Sequence, residues 1–227
     1  MEINHPDFKP DSDDPFIRQA YQMYLRQQES PRAEEPEEEE PEEISHDTKI
    51  NCLRGWGVPE RILDNLEVLR ATKAVNIVKN WTDTPKEAWC LILSADKGTG
   101  KSTAAATWLY NNVPQNISTY PRRYWWSGTR IARTNGYAKE FESMMRSRFM
   151  VIDDLGVLDK NGNFLQRLDE LIDERYSNYR QTIITTNLNV KAFKERYGER
   201  VADRIREGFE FGGAFMELAE SSMRVRK

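Results

Sequence analysis

The feature that most constrains this sequence is a glycine-rich segment, Ala95–Thr103, which follows an apolar run and opens a helical pattern. The run Ala88–Ser94 has the length and composition of a buried strand, and Ser102–Tyr110 is typical of a helix. Glycine lets the backbone wrap closely around a bound group with its N–H groups turned inward, and a helix N-terminus favours negative charge. A strand, a glycine-rich loop and a helix in this order predict a loop that binds the phosphates of a nucleotide.

Each position of this loop has an expected role in binding phosphate and metal. We expect Lys101 to reach the β- and γ-phosphates and the Ser102 hydroxyl to be a ligand of Mg²⁺. Alanine stands at position 95, where the usual pattern begins with glycine, and its small side chain keeps the loop compact. The alternative is a glycine-rich turn that binds no nucleotide. The residues predicted to bind ATP are Ala95, Gly98, Thr99, Gly100, Lys101, Ser102 and Thr103.

A second apolar run ends in a pair of carboxylates. Phe149–Asp153 is typical of a buried strand, and Asp154 follows it directly. Because α/β proteins bind ligands at the C-terminal edge of their parallel strands, we expect Asp153 to bind Mg²⁺ together with Ser102. Asp154 would orient and deprotonate the attacking water. Glutamate is more usual there, and the shorter aspartate predicts a low rate of hydrolysis. The alternative is that both aspartates belong to an ordinary turn at the end of the strand.

Polar residues further along the chain are also candidates for catalysis. Asn187 follows the next β-branched strand and can hydrogen-bond the γ-phosphate or the attacking water. Arg200 and Arg204 are four residues apart and share one face of a predicted helix. Two interpretations of Arg204 stay open. It pairs with Glu199 or Asp203, or it is an arginine finger that stabilises transition-state charge in the ATP site of a neighbouring subunit.

Strand and helix patterns alternate through most of the chain, which predicts an α/β fold with a central parallel sheet and helices on both faces. The predicted strands are Ala88–Ser94, Arg123–Ser127, Phe149–Asp153, Thr182–Thr186 and Ala214–Leu218. The predicted helices are Val58–Ile77 with a break near Arg70–Thr72, Ser102–Tyr110, Phe164–Tyr179 and Val190–Glu207.

The first 50 residues differ from the rest in charge, with a net charge of −10 against +6. Pro15–Gln28 has apolar residues at helical spacing and predicts a docking helix, whereas the proline- and glutamate-rich segment Ser30–Glu43 predicts a flexible linker. We expect three regions: a docking-helix region at 1–29, an acidic linker at 30–49 and an ATPase domain at 50–227. No apolar run approaches the roughly 20 residues that span a membrane. The two cysteines fit a reducing, cytoplasmic compartment.

The segment Tyr120–Arg133 mixes arginines with aromatic side chains, a combination that favours contact with single-stranded DNA. The other interpretation is that Tyr124–Trp126 form a core strand, in which case at least one tryptophan is buried. The predicted DNA contacts are Arg122, Arg123, Arg130 and Arg133.

These motifs together resemble the helicase-loader branch of the AAA+ ATPases, the DnaC/DnaI type, with the IstB-type transposition helpers as close relatives. The motifs that carry the resemblance are GTGKST, VIDDLG, LIDERYSNYRQTIITTNL, YGERVADRIREG and SSMR, within Gly57 to Arg224. The resemblance implies a three-layer P-loop AAA+ sandwich. It also implies that Asn187 is the first nucleotide sensor, that Arg204 is a finger acting in trans with Arg200 as a second contact, and that Arg224 senses the nucleotide in cis.

The function that the resemblance implies is an ATPase that loads a replicative DNA helicase. In this interpretation Pro15–Gln28 docks the helicase, and the body self-associates around ATP and contacts single-stranded DNA. Two alternatives stay open: an IstB-like transposition helper, and a non-hydrolysing adaptor that binds ATP as a structural ligand. A small-molecule kinase is disfavoured, because it would have no use for the pair Asn187 and Arg204.

Overall fold

Five short apolar segments form one parallel sheet in the computed structural model, which describes residues 44–66, 72–82, 86–113, 124–134, 139–156, 163–208 and 213–218. Strands buried on both faces carry mainly apolar or β-branched residues, which is why Cys90–Ser94, Met150–Asp153 and Thr182–Thr186 were readable from the sequence. The predicted parallel sheet is confirmed, and no strand boundary differs from the predicted one by more than two residues. The strands are β1 (Cys90–Ser94), β2 (Trp125–Ser127), β3 (Met150–Asp153), β4 (Thr182–Thr186) and β5 (Ala214–Glu217), in the spatial order β2-β3-β4-β1-β5.

Helices cover both faces of the sheet and make three layers. The helices are α1 (His46–Gly55), α2 (Glu60–Leu66), α3 (Lys73–Thr82), α4 (Lys101–Asn111), α5 (Gly128–Arg133), α6 (Lys139–Arg146), α7 (Asn163–Ser177), α8 (Val190–Tyr197) and α9 (Glu199–Glu207). Alternate residues of β1 enter two separate cores: Leu91 and Leu93 pack with α1–α4, and Cys90 and Ile92 pack with α5–α9. The described part of the chain has no helix that combines the length and hydrophobicity needed to cross a membrane.

The structure differs from the sequence-based expectation in its short helices. Helices α1, α5 and α6 were not predicted, and α1 begins at His46, inside the segment 30–49 that was expected to be linker. The hydroxyl of Ser45 accepts a hydrogen bond from the backbone N–H of Thr48 and caps α1. The single predicted helix Val190–Glu207 is two helices, because Gly198 has a φ of 88°, which is outside the helical region. The predicted helix Pro15–Gln28 lies outside the described residues.

A fully buried arginine joins three elements behind the sheet. Arg175 on α7 donates to the carbonyl oxygens of Met144 at 2.8 Å and Ser147 at 2.9 Å, and to that of Gln181 at 2.8 Å. Its Nε also donates to the Thr182 hydroxyl at 2.7 Å, at the start of β4. Burial lowers the pKa of the guanidinium, and the hydrogen bonds from it satisfy carbonyls at the end of α6 and before β4. Arg175 thereby fixes the position of β4 relative to α6 and α7.

Candidate nucleotide-binding site

The glycine-rich loop connects β1 to α4 through two left-handed glycines. Gly98 and Gly100 have φ values of 90° and 83°, a conformation that other residues rarely adopt. Lys101 begins α4, and its Nζ donates hydrogen bonds to the carbonyl oxygens of Ala95 at 2.7 Å and Asp96 at 2.8 Å. Burial lowers the pKa of Lys101, while nearby carboxylates act in the opposite direction. The ammonium group is thus held inside the loop, at the N-terminus of a helix.

The carboxylate at the end of β3 contacts the first turn of α4. Asp153 is only 7% exposed, and its Oδ1 accepts hydrogen bonds from the hydroxyls of Ser102 and Thr185, each at 2.7 Å. Burial raises the pKa of Asp153, and the two hydroxyl donors oppose that shift. The structure therefore brings Ser102 and Asp153, which are 51 residues apart in the sequence, into direct contact.

The backbone that follows Asp153 is held by the end of β4. Asp154 has a φ of 53°, in the left-handed region, and its N–H donates to the Thr185 hydroxyl at 2.9 Å. The Leu155 N–H donates to the Thr185 carbonyl at 2.8 Å, and the Leu155 carbonyl accepts from the Thr186 hydroxyl at 2.6 Å. These bonds hold the turn with Asp154 in its left-handed conformation. The side chain of Asp154 is exposed.

Asn187 lies at the same edge of the sheet. A Cβ built at Gly156 would be 3.1 Å from the Asn187 Oδ1, so this amide is packed against the end of the turn. Asn187 is exposed, as is Asp154. The predicted residues Lys101, Ser102, Asp153, Asp154 and Asn187 thus converge at the C-terminal edge of the strands, where the sequence placed them.

Comparison with models of known protein families identifies the family of this chain. The model described as "IstB-like ATP binding protein" matches residues 73–227. The chain belongs to the IstB-like ATP-binding protein family. None of the curated protein sequences matches the chain. The predicted resemblance to the IstB-type proteins is therefore confirmed.

Solved structures agree with the fold of this IstB-like protein. The crystal structure of DnaI has a TM-score of 0.56 at 16% identity and matches 75% of this chain and 100% of the DnaI chain. The replication initiator DnaA bound to AMPPCP and single-stranded DNA has a TM-score of 0.54 at 17% identity; the match covers 69% of this chain and 50% of DnaA. The DnaC helicase loader matches with a TM-score of 0.49 at 19% identity, over 73% of this chain and 98% of that chain. The predicted P-loop AAA+ sandwich is confirmed.

Two arginines of α9 in the IstB-like protein, Arg200 and Arg204, pair with carboxylates of α7 instead of their own helix. Arg204 is 16% exposed and pairs with Asp169 at 3.0 Å and Asp173 at 2.5 Å. Arg200 is 64% exposed and lies 3.3 Å and 3.6 Å from the same two carboxylates. The expected partners of Arg204 were Glu199 and Asp203, but these pair with Lys194 and Arg206. Arg204 is therefore mostly covered within its own subunit.

The tryptophans of β2 are buried, which corrects part of the DNA-binding expectation. Trp125 and Trp126 are 3% and 2% exposed and point into opposite cores, so neither can stack on a base. Arg130 pairs with Glu140 at 3.1 Å, and both Arg130 and Arg133 are exposed. Arg122, Arg123 and Arg224 lie outside the described residues.

The sequence interpretation missed several residues that build the site. Thr185 and Thr186 were predicted only as the end of a strand, yet their hydroxyls hold Asp153 and the turn after it. Threonine pairs at the end of a predicted buried strand are a usable signal, because hydroxyls there must find partners. Arg196 was also missed, although its Nη1 donates to the Gly156 carbonyl at 2.7 Å. Nothing local in the sequence marks that contact.

Proposed function

We propose that this IstB-like protein is a Mg²⁺-dependent ATPase whose reaction takes place between the N-terminus of α4 and the end of β3. The observation that carries the proposal is the 2.7 Å hydrogen bond from the Ser102 hydroxyl to Asp153. It joins the glycine-rich loop to the buried carboxylate at the sheet edge. A phosphate-binding loop and a metal-binding carboxylate in contact are what a nucleotide–Mg²⁺ complex requires.

The oxygen donors at this contact fit Mg²⁺. This ion usually binds through one or two carboxylates, phosphate oxygens and several waters, so a site need not be closed by protein ligands. Ser102 and Asp153 would hold the ion, with Asp153 acting through water. When bound, Mg²⁺ neutralises charge on the phosphates. The buried Asp153 carboxylate favours such a partner, because a nearby cation offsets the free-energy cost of its desolvation.

The other site residues have roles that their positions support. Lys101 would exchange the carbonyl oxygens of Ala95 and Asp96 for phosphate oxygens, and the backbone N–H groups of the glycine-rich loop would bind the same phosphates. Asp154, exposed beside them, would orient the attacking water and accept its proton. Asn187, packed against the same turn, would hydrogen-bond that water or the γ-phosphate.

We further propose that the protein acts in the cytoplasm in DNA replication as a helicase loader. The likeness in fold to DnaI, and to DnaA bound to AMPPCP and single-stranded DNA, supports this role. The partners would be a replicative DNA helicase through Pro15–Gln28, single-stranded DNA through exposed cations such as Arg133, and other copies of the chain. In that homo-oligomer Arg204 would act in trans as the finger and Arg200 as a second contact, and Arg224 would sense the nucleotide in cis.

The central experiment measures ATP binding and Mg²⁺-dependent turnover in the wild type and in Lys101→Ala. Removing the ammonium group deletes the main point charge on the phosphates, so binding or hydrolysis should be abolished. Lys79→Ala, an exposed lysine on α3, is the matched control and should behave as the wild type. Equal affinity and equal turnover in wild type and Lys101→Ala would refute the ATPase proposal. Tight ATP binding by the wild type without turnover would favour the non-hydrolysing adaptor.

A transposition helper is the second candidate function, and the family model favours it because the model is that of an IstB-like protein. The two candidates differ in the macromolecule that the ATP-bound protein recruits. Binding assays with a purified replicative helicase and with a transposase, each with and without ATP, separate them. ATP-dependent capture of the transposase alone would replace the helicase-loader proposal.

A further inference from the structure

The turn at residues 154–156 is held between β4 and α5. Besides the bonds from Thr185 and Thr186, it packs against the first residue of α5, because a Cβ built at Gly128 would lie 3.0 Å from the Asp154 carbonyl oxygen. A left-handed aspartate persists only where its surroundings define its conformation. The position of the Asp154 carboxylate is therefore decided by the groups that hold this short turn.

Arg196, at the end of α8, is one of those groups. Its Nη1 donates to the Gly156 carbonyl at 2.7 Å, and its side chain is partly buried. Arg196 forms no ion pair with a carboxylate anywhere in the described ranges, unlike Arg200 and Arg204 on α9. A long cationic side chain ordered for one backbone carbonyl loses conformational entropy without gaining a salt bridge. The contact is thus specific to the turn.

Tyr197 follows Arg196 and packs in the same core as Leu155 of the turn, where it adds a buried polar atom. Its side chain is 6% exposed and packs against Phe193, with ring centroids 4.9 Å apart. Within the described part of the chain its hydroxyl donates no hydrogen bond. Burial raises the pKa of Tyr197 to about 12, and the charge of Arg196 and a side-chain hydrogen bond with it oppose that shift. A buried hydroxyl that donates no hydrogen bond costs stability, and that cost calls for a reason.

We propose that Arg196 and Tyr197 are positioning residues for Asp154: Arg196 anchors the turn at Gly156, and the Tyr197 hydroxyl becomes a hydrogen-bond donor to the turn when the catalytic conformation forms. The inference rests on the proposed ATPase function. It extends the site to Arg196 and Tyr197 at the end of α8, to which the sequence analysis gave no role in the site. It also links the turn to α9, since Gly198 alone separates Tyr197 from the helix that carries Arg200 and Arg204.

Steady-state kinetics and nucleotide binding test the proposal with four variants. Tyr197→Phe removes only the hydroxyl, and Arg196→Ala removes the anchor. Each should lower kcat by between about tenfold and a hundredfold, as expected for a displaced catalytic group, with the Kd for a non-hydrolysable ATP analogue within about twofold of the wild type. Arg196→Lys keeps one donor and should recover part of kcat. Lys191→Ala, exposed on the same helix, should match the wild type.

Thermal unfolding separates positioning from packing. Tyr197→Phe should unfold at the same temperature as the wild type or higher, because it removes a buried hydroxyl that donates no hydrogen bond. A lowered kcat with undiminished stability supports the proposal. An unchanged kcat in both Tyr197→Phe and Arg196→Ala overturns it, and so does a loss of nucleotide affinity equal to the loss of kcat.

Hydrogen exchange gives a readout that does not depend on ATP turnover. In the protein without nucleotide, peptides that contain residues 151–156 should exchange faster in Arg196→Ala than in wild type, Arg196→Lys or Lys191→Ala. Exchange at the wild-type rate in Arg196→Ala would show that Arg196 does not anchor the turn. If the wild type hydrolyses no ATP, the ATPase proposal fails, but this measurement still decides whether Arg196 holds the turn.

Discussion

The guanidinium of Arg204 on α9 donates a hydrogen bond to Asp169 on α7, with Nη1 3.0 Å from Oδ1. A second contact, to Asp173, and the low exposure of the side chain make this a partly buried network. An arginine finger must leave its own subunit's surface to reach a neighbour's site. If Arg204 acts in trans, it must therefore exchange these carboxylates for phosphate oxygens, and its removal should affect stability as well as activity.

Arg204→Ala should lower the free energy of unfolding by about 1–3 kcal/mol, because it leaves Asp169 and Asp173 without their covered partner. Chemical denaturation monitored by circular dichroism measures the change. The matched control is Arg206→Ala on the same helix, whose exposed pair with Asp203 should contribute about 0–1 kcal/mol. Equal stability of the two variants would mean that the Asp169–Arg204 contact contributes no more to folding than an exposed ion pair does.

Mixing mutant subunits tests the trans role of Arg204. Arg204→Ala should bind ATP but hydrolyse it poorly, with a loss of roughly 10³-fold or more if the arginine supplies transition-state charge. Adding Lys101→Ala subunits with an intact Arg204 should restore part of the turnover, since one subunit gives the finger and the other the nucleotide site. The trans interpretation is wrong if the two variants assemble together and the mixture stays inactive.

Asp153→Asn should abolish Mg²⁺-dependent hydrolysis and leave the fold intact. Asparagine keeps an oxygen that can accept from Ser102 and Thr185 and removes a buried charge, so the melting temperature should stay the same or rise. Calorimetric titration with ATP, with and without Mg²⁺, should show a larger loss of affinity in the presence of the metal. Asp47→Asn, on the exposed side of α1, serves as the control. Equal losses with and without metal would contradict a metal-binding role.

Arg175→Met should strongly lower the free energy of unfolding, although Arg175 is not a residue of the candidate nucleotide-binding site. The carbonyls of Met144, Ser147 and Gln181 lose their donor in a region closed to water, and each unsatisfied buried group costs about 1–3 kcal/mol. We expect a loss of at least about 3 kcal/mol in urea denaturation. Arg146→Ala, an exposed arginine on α6, should change stability by less than about 1 kcal/mol. Similar stability of the two variants would rule out Arg175 as an organiser of the core.

Deleting residues 1–29 should leave the melting temperature unchanged and abolish capture of a replicative helicase. The expectation follows from the linker, which has too few apolar residues to couple the two regions, and from the capped start of α1 at His46. Leu25→Asp in the full chain is the matched control, since it alters only the apolar stripe of the predicted docking helix. Aggregation of the shortened protein would place that helix in the core.

The sequence determined the elements whose signals lie within a few residues of one another. The boundaries of β4 match the prediction because a β-branched apolar run between polar turns has few other ways to fold. The glycines of the Ala95–Thr103 loop and the carboxylates after β3 were readable for the same reason: backbone conformation and strand ends are local properties. The convergence of Lys101, Asp153 and Asn187 also followed, since parallel strands bring their C-terminal ends to one edge.

Tertiary structure alone decided what each long side chain contacts. Arg204 pairs with Asp169 because α9 packs against α7, and a helical pattern cannot tell a partner four residues away from one 35 residues away. Arg196 reaches Gly156 across 40 residues, and Arg175 finds backbone carbonyls that have no sequence signature at all. The burial of both Trp125 and Trp126 likewise required β2 to lie between two helical layers. Periodicity specifies which face of an element is buried; which atoms meet there depends on how the elements pack, and that is set by the whole chain.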